Sequence, residues 1–411
     1  MFVFFICVFA LIATCGHAIN ENLFGVPVFY YVLGTLLISY LYILITKGKE
    51  LSIDAAGKCL ILFEVWGLLY VGLSPVGMNK SFNLDLYFDP SYIPRHAVYF
   101  FVLPAMLLFR EDIYVKGKDW FLNHYGEAFF WILLAGHMIY CQQLLLTVHA
   151  QALLCWLSFR VETKSAWRRW ARITALVLLP MSDGGESTML ILRALFLLVC
   201  IVRKPQWRVM VKIIAFGLAI IIIACLTLPL VMDSTIIPDY NTAWRLRIWK
   251  EELSILAKTF FCGVGYGTSY VTDTYISESF ERMEWQFAAN SEHAQRERAF
   301  VTGPHNSFVS VAMRTGIVGI ILFILFLVLL FFSLIKYPVL PSKAACFGLF
   351  AAVIIILFNV GLENPGYLCT FVFLVGSCMQ EAKRLKKVSS MASVYDEKQC
   401  VGTMRECALI D

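Results

Sequence analysis

"TGPHNSFVSVAMRTGIVGIILFILFLVLLFF", residues 302–332, decides the fold class. The stretch begins polar and ends in an apolar run of the length that a membrane helix needs, about 20 residues. Gly303 interrupts whatever precedes it and Pro304 suits the first turn of a helix, so a helix is predicted to begin near His305. The stretch therefore predicts a membrane helix with a titratable side chain at its mouth.

The composition of the whole chain also indicates a membrane protein. Of the 411 residues, 59% are hydrophobic and only 15% are charged, and the mean hydropathy is +0.72. Soluble domains carry roughly 45–50% apolar and about 25% charged residues. The net charge of +5 indicates little, because in a membrane protein the position of the charges matters more than their sum. The 13 cysteines are scattered and show no paired metal-ligand spacing.

Apolar segments recur along the chain and predict an all-α polytopic membrane protein with about twelve transmembrane helices. The first segment lacks the positive region of a signal peptide, so we expect it to be an uncleaved span. The predicted spans lie near residues 2–18, 27–46, 59–77, 96–109, 126–142, 144–159, 173–183, 187–202, 211–231, 306–335, 344–361 and 366–381.

Basic residues orient these spans. Lys and Arg cluster after every second span, at residues 47–58, 110–118, 160–172, 203–212, 336–343 and 383–405. Such loops face the cytoplasm, so both termini are predicted to be cytoplasmic. The predicted organisation is spans one to nine in 1–231, an extracytoplasmic loop in 232–304, spans ten to twelve in 305–381 and a cytoplasmic tail in 382–411 that is flexible after Lys387.

Small residues follow His305 along one side of the predicted span ten. Ala312, Gly316 and Gly319 fall within about 40° of His305 if the helix is continuous. Small residues let membrane helices approach closely. Gly316 and Gly319 are therefore predicted to seat this helix against a neighbour and to fix the direction of His305. The alternative is that His305 only bonds a backbone carbonyl at the membrane interface.

The outer loop contains a second element, an amphipathic helix predicted at 242–258 and followed by a glycine-rich turn at 263–267. Its apolar stripe is predicted to face the membrane and consists of Leu246, Trp249, Leu253 and Leu256. Arg245 lies nearer to this stripe than Arg247, at about 60° against about 140° from its centre. The glycine-rich turn can form an anion nest. The alternative is that the two arginines contact only lipid phosphates.

Taken together, these elements resemble the O-antigen ligase and Wzy-type polymerase superfamily. The resemblance rests on Arg245-Leu246-x-x-Trp249, Gly263-Val264-Gly265-x-Gly267, His305-Asn306 with Gly316-x-x-Gly319 after it, and Glu363-x-Pro365 at the last span. These motifs cover residues 182–380, whereas the first 170 residues agree only in being hydrophobic spans.

The resemblance implies a GT-C-like fold and a glycosyltransferase at the periplasmic face of the bacterial inner membrane. Such an enzyme moves a glycan from undecaprenyl diphosphate to an acceptor hydroxyl with inversion, and needs no metal and no cofactor. His305 would be the catalytic base, and Arg245 and Arg247 would bind the diphosphate, roles that suit imidazole and guanidinium groups. Asn306 and Glu363 would line the substrate cavity. Structural roles are expected for three glycines, Gly265, Gly316 and Gly319.

The sequence departs from the family pattern between spans seven and eight. Many members carry an arginine in that short outer loop, but residues 182–188 contain none. Arg193, which is expected within span eight, can replace it as a substrate-binding cation or can pair with Glu186. Arg314 lies about 180° from His305 on a continuous helix and is expected to pair elsewhere.

Two functions within this family stay open. A ligase transfers finished polymer to lipid A-core, and a polymerase transfers a growing chain to the next lipid-linked repeat. The single dominant outer loop favours the ligase. A transporter or flippase is the rival of another class, but it predicts repeated halves and charge pairs through the membrane centre, which the sequence does not show clearly. The expected partners are the lipid-linked glycan donor, the glycan acceptor and membrane lipids, and not nucleic acid.

Overall fold

The computed structural model describes residues 54–76, 99–103, 112–140, 146–161, 165–179, 186–202, 206–232, 240–268, 305–337, 341–359 and 361–407, with isolated positions between 22 and 106. The predicted span at 2–18 and most of that at 27–46 lie outside these residues. So do residues 269–304 of the outer loop.

Helices dominate the described residues. They are α1 (Ala55–Leu73), α2 (Tyr99–Val102), α3 (Asp112–Tyr140), α4 (Val148–Arg160), α5 (Ala166–Leu178), α6 (Glu186–Ile201), α7 (Trp207–Val231), α8 (Tyr240–Lys258), α9 (Ser307–Ile335), α10 (Lys343–Phe358) and α11 (Pro365–Cys407). A short 3-10 turn, Ser74–Val76, follows α1. Strand β1 (Asn22–Leu23) pairs antiparallel with strand β2 (Val26–Pro27). Apart from this pair of two-residue strands, the regular structure described is helical, as expected.

Three helices in the described part are long and apolar enough to cross a membrane: Ala55–Val76, Trp207–Val231 and Ser307–Ile335. Two shorter apolar helices lie at Thr188–Ile201 and Lys343–Phe358. The chain is therefore a multi-pass membrane protein. Of the span predicted at 96–109, the described residues form only the short helix α2.

The C-terminal tail corrects the sequence prediction. It was expected to be flexible, but α11 continues from the last predicted span as far as Cys407. The physical reason is local: after Lys387 no glycine or proline follows before Gly402, and the segment contains the helix-favouring residues Met391, Ala392, Glu397, Lys398 and Gln399.

Short polar side chains fix where several helices begin. The Asp54 carboxylate accepts from Gly57 N at 2.9 Å and starts α1. Ser342 does the same for α10, accepting from Ala345 N at 3.2 Å, and Asn364 for α11, accepting from Gly366 N at 2.9 Å. Each cap satisfies a backbone N–H that the first helical turn leaves without a partner.

Two sets of helix contacts build the interior. Helix α9 packs along α1, and α10 packs among α4, α6 and α11, with most of its side chains buried. Trp66 of α1 donates its indole N–H to the carbonyl of Thr315 at 2.9 Å, and the rings of Phe63 and Phe323 lie 5.2 Å apart. The α1–α9 contact therefore holds the first half of α9, which follows His305, in a fixed position.

Candidate functional site

Asn306 and His305 together form the start of α9. The Asn306 side chain is fully buried and accepts from Phe308 N at 3.0 Å and from Val309 N at 3.3 Å. His305 precedes this cap and has a positive φ of 48°, a backbone conformation that few residues other than glycine adopt. The helix thus begins at Ser307 rather than at His305, and His305 lies half-buried in a strained turn just before it.

The apolar stripe of α8 faces the protein, which corrects its predicted orientation toward the membrane. Leu246, Trp249 and Leu256 are buried, and α8 packs against α7 and α9. Lipid and protein interior are both apolar, so periodicity alone cannot distinguish them. Arg245 and Arg247 lie about 160° apart around α8, and both are half-buried.

Arg245 and His305 come together across the α8–α9 contact. Arg245 Nη1 donates to the Phe358 carbonyl at 3.3 Å, at the end of α10. Burial, and to a lesser extent the nearby Arg245 charge, lower the pKa of His305 to about 4. The imidazole is therefore neutral at neutral pH and can accept a proton.

Glu363 joins this site through α9. Ser307 Oγ donates to Glu363 Oε2 at 2.9 Å and accepts from Leu362 N at 3.0 Å, so one hydroxyl bridges α9 and the α10–α11 connection. Burial raises the pKa of Glu363, while hydrogen bonds from Ser310 and Ser307 and the Arg314 charge oppose the rise. Ser307 was not predicted as a site residue, although its position directly after Asn306 could have indicated it.

Two further buried ionisable side chains of α8 and α9 interact electrostatically. Glu252 of α8 and Arg314 of α9 are both completely buried. Burial raises the pKa of Glu252 well above its ordinary value, and the Arg314 charge opposes that rise. Arg314 also donates through Nη1 to the carbonyls of Gly265 at 2.9 Å and Thr268 at 2.7 Å. Arg314 thus pairs away from His305, as the sequence prediction had it.

Sequence reasoning missed Glu252. It lies seven residues after Arg245 and three after Trp249, so all three share one face of α8. A carboxyl group on an otherwise buried stripe was the signal that could have found it. We call the set Arg245, Glu252, His305, Ser307, Arg314 and Glu363 the polar seam.

Gly316 breaks α9, which corrects the prediction of a continuous helix. Its φ is 70°, and the chain of residues 260–264 inserts at the break. Val264 N donates to the Met313 carbonyl at 2.7 Å, while Ile317 N donates to the Phe261 carbonyl at 2.9 Å. These two bonds replace the Ile317–Met313 bond that an unbroken helix would contain.

The other two glycines predicted to be structural allow close packing. A Cβ at Gly265 would lie 2.7 Å from Ser74 Oγ, and one at Gly319 would lie 3.4 Å from the Trp66 ring. In the glycine-rich turn, Val264 N and Tyr266 N donate to protein acceptors, the latter to Ser74 Oγ at 2.8 Å. These two N–H groups therefore do not form the anion nest suggested by the sequence.

Arg193 lies in a different environment. Nη1 donates to the Val177 carbonyl at 3.0 Å and Nη2 to the Leu179 carbonyl, both at the end of α5, and Nε approaches Gln151 at 3.5 Å. Within the described residues, the bonds of this guanidinium are with α4 and the end of α5, not with α8 or α9. The part of the chain that the structure describes contains no group of three or more His, Cys, Asp or Glu able to hold a metal.

Comparison with known sequences identifies the segment that carries the seam. The sequence model of the family described as O-antigen ligase matches residues 170–324, from within α5 to within α9. This segment includes Arg245, Glu252, His305 and Arg314, whereas Glu363 lies beyond it. No curated protein matches the chain. The chain is therefore similar to the O-antigen ligase family over residues 170–324.

Proposed function

We propose that the chain is an inner-membrane glycosyltransferase of the ligase type, which moves a glycan from undecaprenyl diphosphate to a hydroxyl of lipid A-core. In this proposal twelve spans of a GT-C-like fold place both termini in the cytoplasm, with spans one to nine in 1–231 and spans ten to twelve in 305–381. The loop 232–304 faces the periplasm and carries the site.

The observation that carries the proposal is the proximity of Arg245 and His305 within the family-matched segment. A glycan transfer from a lipid diphosphate needs a cation for the leaving group and a base for the acceptor. A guanidinium can bind a diphosphate through two N–H groups, and a neutral imidazole can take a proton. The two groups that the reaction needs are therefore neighbours.

The proposed reaction is a single displacement. His305 takes the proton of the acceptor hydroxyl as the oxygen attacks the anomeric carbon. The bond between that carbon and the diphosphate oxygen breaks, and its electron pair leaves on the undecaprenyl diphosphate beside Arg245. The anomeric configuration inverts, because the acceptor attacks opposite to the leaving group. No metal or cofactor takes part in the proposed step.

Other residues receive supporting roles in the proposal. The buried Glu363 carboxyl, which Ser307 holds in place, can bond a sugar hydroxyl. Asn306 holds the turn that carries His305. Arg193 is assigned a structural role because its guanidinium binds carbonyls at the end of α5. Arg247, on the opposite side of α8, is assigned a contact with lipid phosphates rather than with the reacting diphosphate.

Reconstitution tests the proposal. Protein in liposomes receives an undecaprenyl-diphosphate-linked glycan and purified lipid A-core, and gel analysis follows the glycan. The wild type is expected to add glycan to lipid A-core, whereas His305→Ala at equal incorporation is expected to add none.

The same experiment separates the alternatives. A ladder of longer glycans on the lipid carrier, formed without lipid A-core, would identify a polymerase instead. Movement of unchanged lipid-linked glycan across the bilayer, with no product bond formed, would identify a transporter and contradict the proposal.

A further inference from the structure

A polar cavity lies at the start of α10 and beside the middle of α11, remote from the polar seam. Its volume is about 230 Å³. The lining residues come from α3, α4, α10 and α11 and the cap of α10; those used here are Lys118, Asp119, Arg160, Ser342, Glu381, Lys383, Arg384 and Lys387. We call this space the basic cavity.

Helix α10 fixes the distance between the two sites. It begins at Lys343 beside the basic cavity and ends at Phe358, whose carbonyl accepts from Arg245. Sixteen helical residues span about 24 Å, close to the thickness of the hydrocarbon core of a bilayer. If the seam faces the periplasm, the basic cavity lies at the level of the headgroups of the cytoplasmic leaflet.

The basic cavity has an excess of positive charge. Five basic residues and two carboxylates line it. The carboxylates are both engaged: Asp119 pairs with Arg160, and Glu381 accepts from Arg384 at 2.7 and 2.8 Å and from Ser342 N at 2.8 Å. The basic residues that line the cavity therefore outnumber the carboxylates by three.

Lys118 shows that this charge is enclosed and not merely part of a solvated surface. Its side chain donates to Gln380 and is only 6% exposed. Burial lowers the pKa of Lys118 to about 7, and the Arg160 charge acts in the same direction. Cytoplasmic basic residues that serve only to orient a membrane protein have no need of such burial, which costs free energy unless a counter-charge compensates it.

The start of α10 also lies at the cavity, which Ser342, Ala344 and Ala345 line. Its Ser342 N–H donates to Glu381 and its Ala345 N–H to the Ser342 hydroxyl. The space is several times the ~30 Å³ that one water occupies in the liquid, and it can accommodate a phosphate group.

We propose that the basic cavity binds a phosphate group, namely the headgroup phosphate of an anionic phospholipid in the cytoplasmic leaflet. Its excess of basic residues and its enclosed lysine suit a phosphate diester, and its place at the ends of membrane helices brings a lipid headgroup within reach. Free inorganic phosphate offers the same chemistry, so the test includes it as a separate arm.

Native mass spectrometry of the purified full chain measures the binding. Protein in detergent is titrated with phosphatidylglycerol, with zwitterionic phosphatidylcholine and with inorganic phosphate. The wild type is expected to retain phosphatidylglycerol in preference to phosphatidylcholine. Lys118→Gln, which keeps a side chain able to bond Gln380, is expected to bind phosphatidylglycerol about tenfold more weakly. Lys387→Gln, an exposed change that does not disturb folding, is expected to lose about fivefold.

Lys336→Gln provides the matched control, because Lys336 is exposed at the predicted cytoplasmic end of α9 and does not line the cavity. Retention of phosphatidylglycerol by this variant at the wild-type level supports the site. Binding of inorganic phosphate that Lys118→Gln and Lys387→Gln weaken, without preference between the lipids, also supports a phosphate site but assigns it to the free ion. Wild-type binding by both cavity variants, or equal losses in Lys336→Gln, would overturn the proposal.

Discussion

Glu252 of α8 and Arg314 of α9 are both completely buried, and the Arg314 guanidinium opposes the rise in the Glu252 carboxyl pKa that burial causes. This electrostatic interaction links the helix that carries Arg245 to the helix that follows His305. Arg314 also holds the turn after α8 through the carbonyls of Gly265 and Thr268. Stability and site geometry therefore depend on the same two residues.

Arg314→Met is expected to lower the stability of the protein by about 1.5–3 kcal/mol, because it leaves two buried carbonyls without their charged donor and removes the charge that acts on Glu252. Adding Glu252→Gln should recover part of that loss, since the neutral amide does not need the guanidinium. Thermal melting of the detergent-purified variants measures both effects. A double variant whose loss equals the sum of the two single losses would show that the residues do not interact.

Gly316→Ala is expected to destabilise the protein by about 1–3 kcal/mol, because alanine does not tolerate a φ of 70° without strain. A Cβ there would also lie 2.6 Å from the Cys262 carbonyl oxygen. Gly217→Ala in α7 is the control, since its Cβ would meet nothing within 4 Å. The control should melt at or above the wild-type temperature. A similar loss of thermal stability in both variants would show that the break at Gly316 does not require glycine.

Arg245→Ala is expected to reduce donor use roughly 10- to 150-fold, which corresponds to the loss of a charge-assisted phosphate contact of about 1.5–3 kcal/mol. Arg247→Ala should change it less than tenfold. Transfer rates at limiting donor concentration, with protein amounts matched in liposomes, compare the two variants. Equal losses would mean that the diphosphate does not bind preferentially to Arg245.

The pH dependence of transfer should reveal the effect of the Arg245 charge on His305. The pKa of His305 is lowered to about 4, so the neutral base persists as the pH falls below 6.5 and is lost only near 4. Arg245→Gln removes one cause of this shift, and the acid limb of the residual activity should move to higher pH. Arg247→Gln should leave the limb in place. An acid limb at unchanged pH in Arg245→Gln would show that the Arg245 charge does not lower the pKa of His305.

Cys262 offers a test of the predicted topology. It is exposed at the start of the glycine-rich turn, in the loop expected to face the periplasm. A membrane-impermeant thiol reagent should label it in cells with a permeabilised outer membrane. Cys262→Ser identifies the signal from this residue. Labelling of Cys262 only after the inner membrane is broken would reverse the orientation and move the site to the cytoplasm.

Local sequence signals predicted the parts of the site that depend on local structure. Asn306 marks the start of α9 because its side chain caps that helix, and the helix at 242–258 follows from its apolar period. The direction of that apolar face depends on tertiary packing, which periodicity does not contain. The break at Gly316 depends on residues 260–264, a segment about 50 positions away in the chain. Glu252 was missed for a similar reason, since its partner Arg314 belongs to another helix.

The exchange of backbone bonds at Gly316 restricts how this protein can be recombined with its relatives. Residues 260–264 provide backbone hydrogen-bond partners to the broken helix, and the helix provides partners to them. A chimera that receives a foreign outer loop without the matching turn of α9 would carry unpaired N–H and carbonyl groups into an apolar environment. Donor specificity can therefore be transplanted between such proteins only when residues 260–264 and 313–317 are exchanged as one unit.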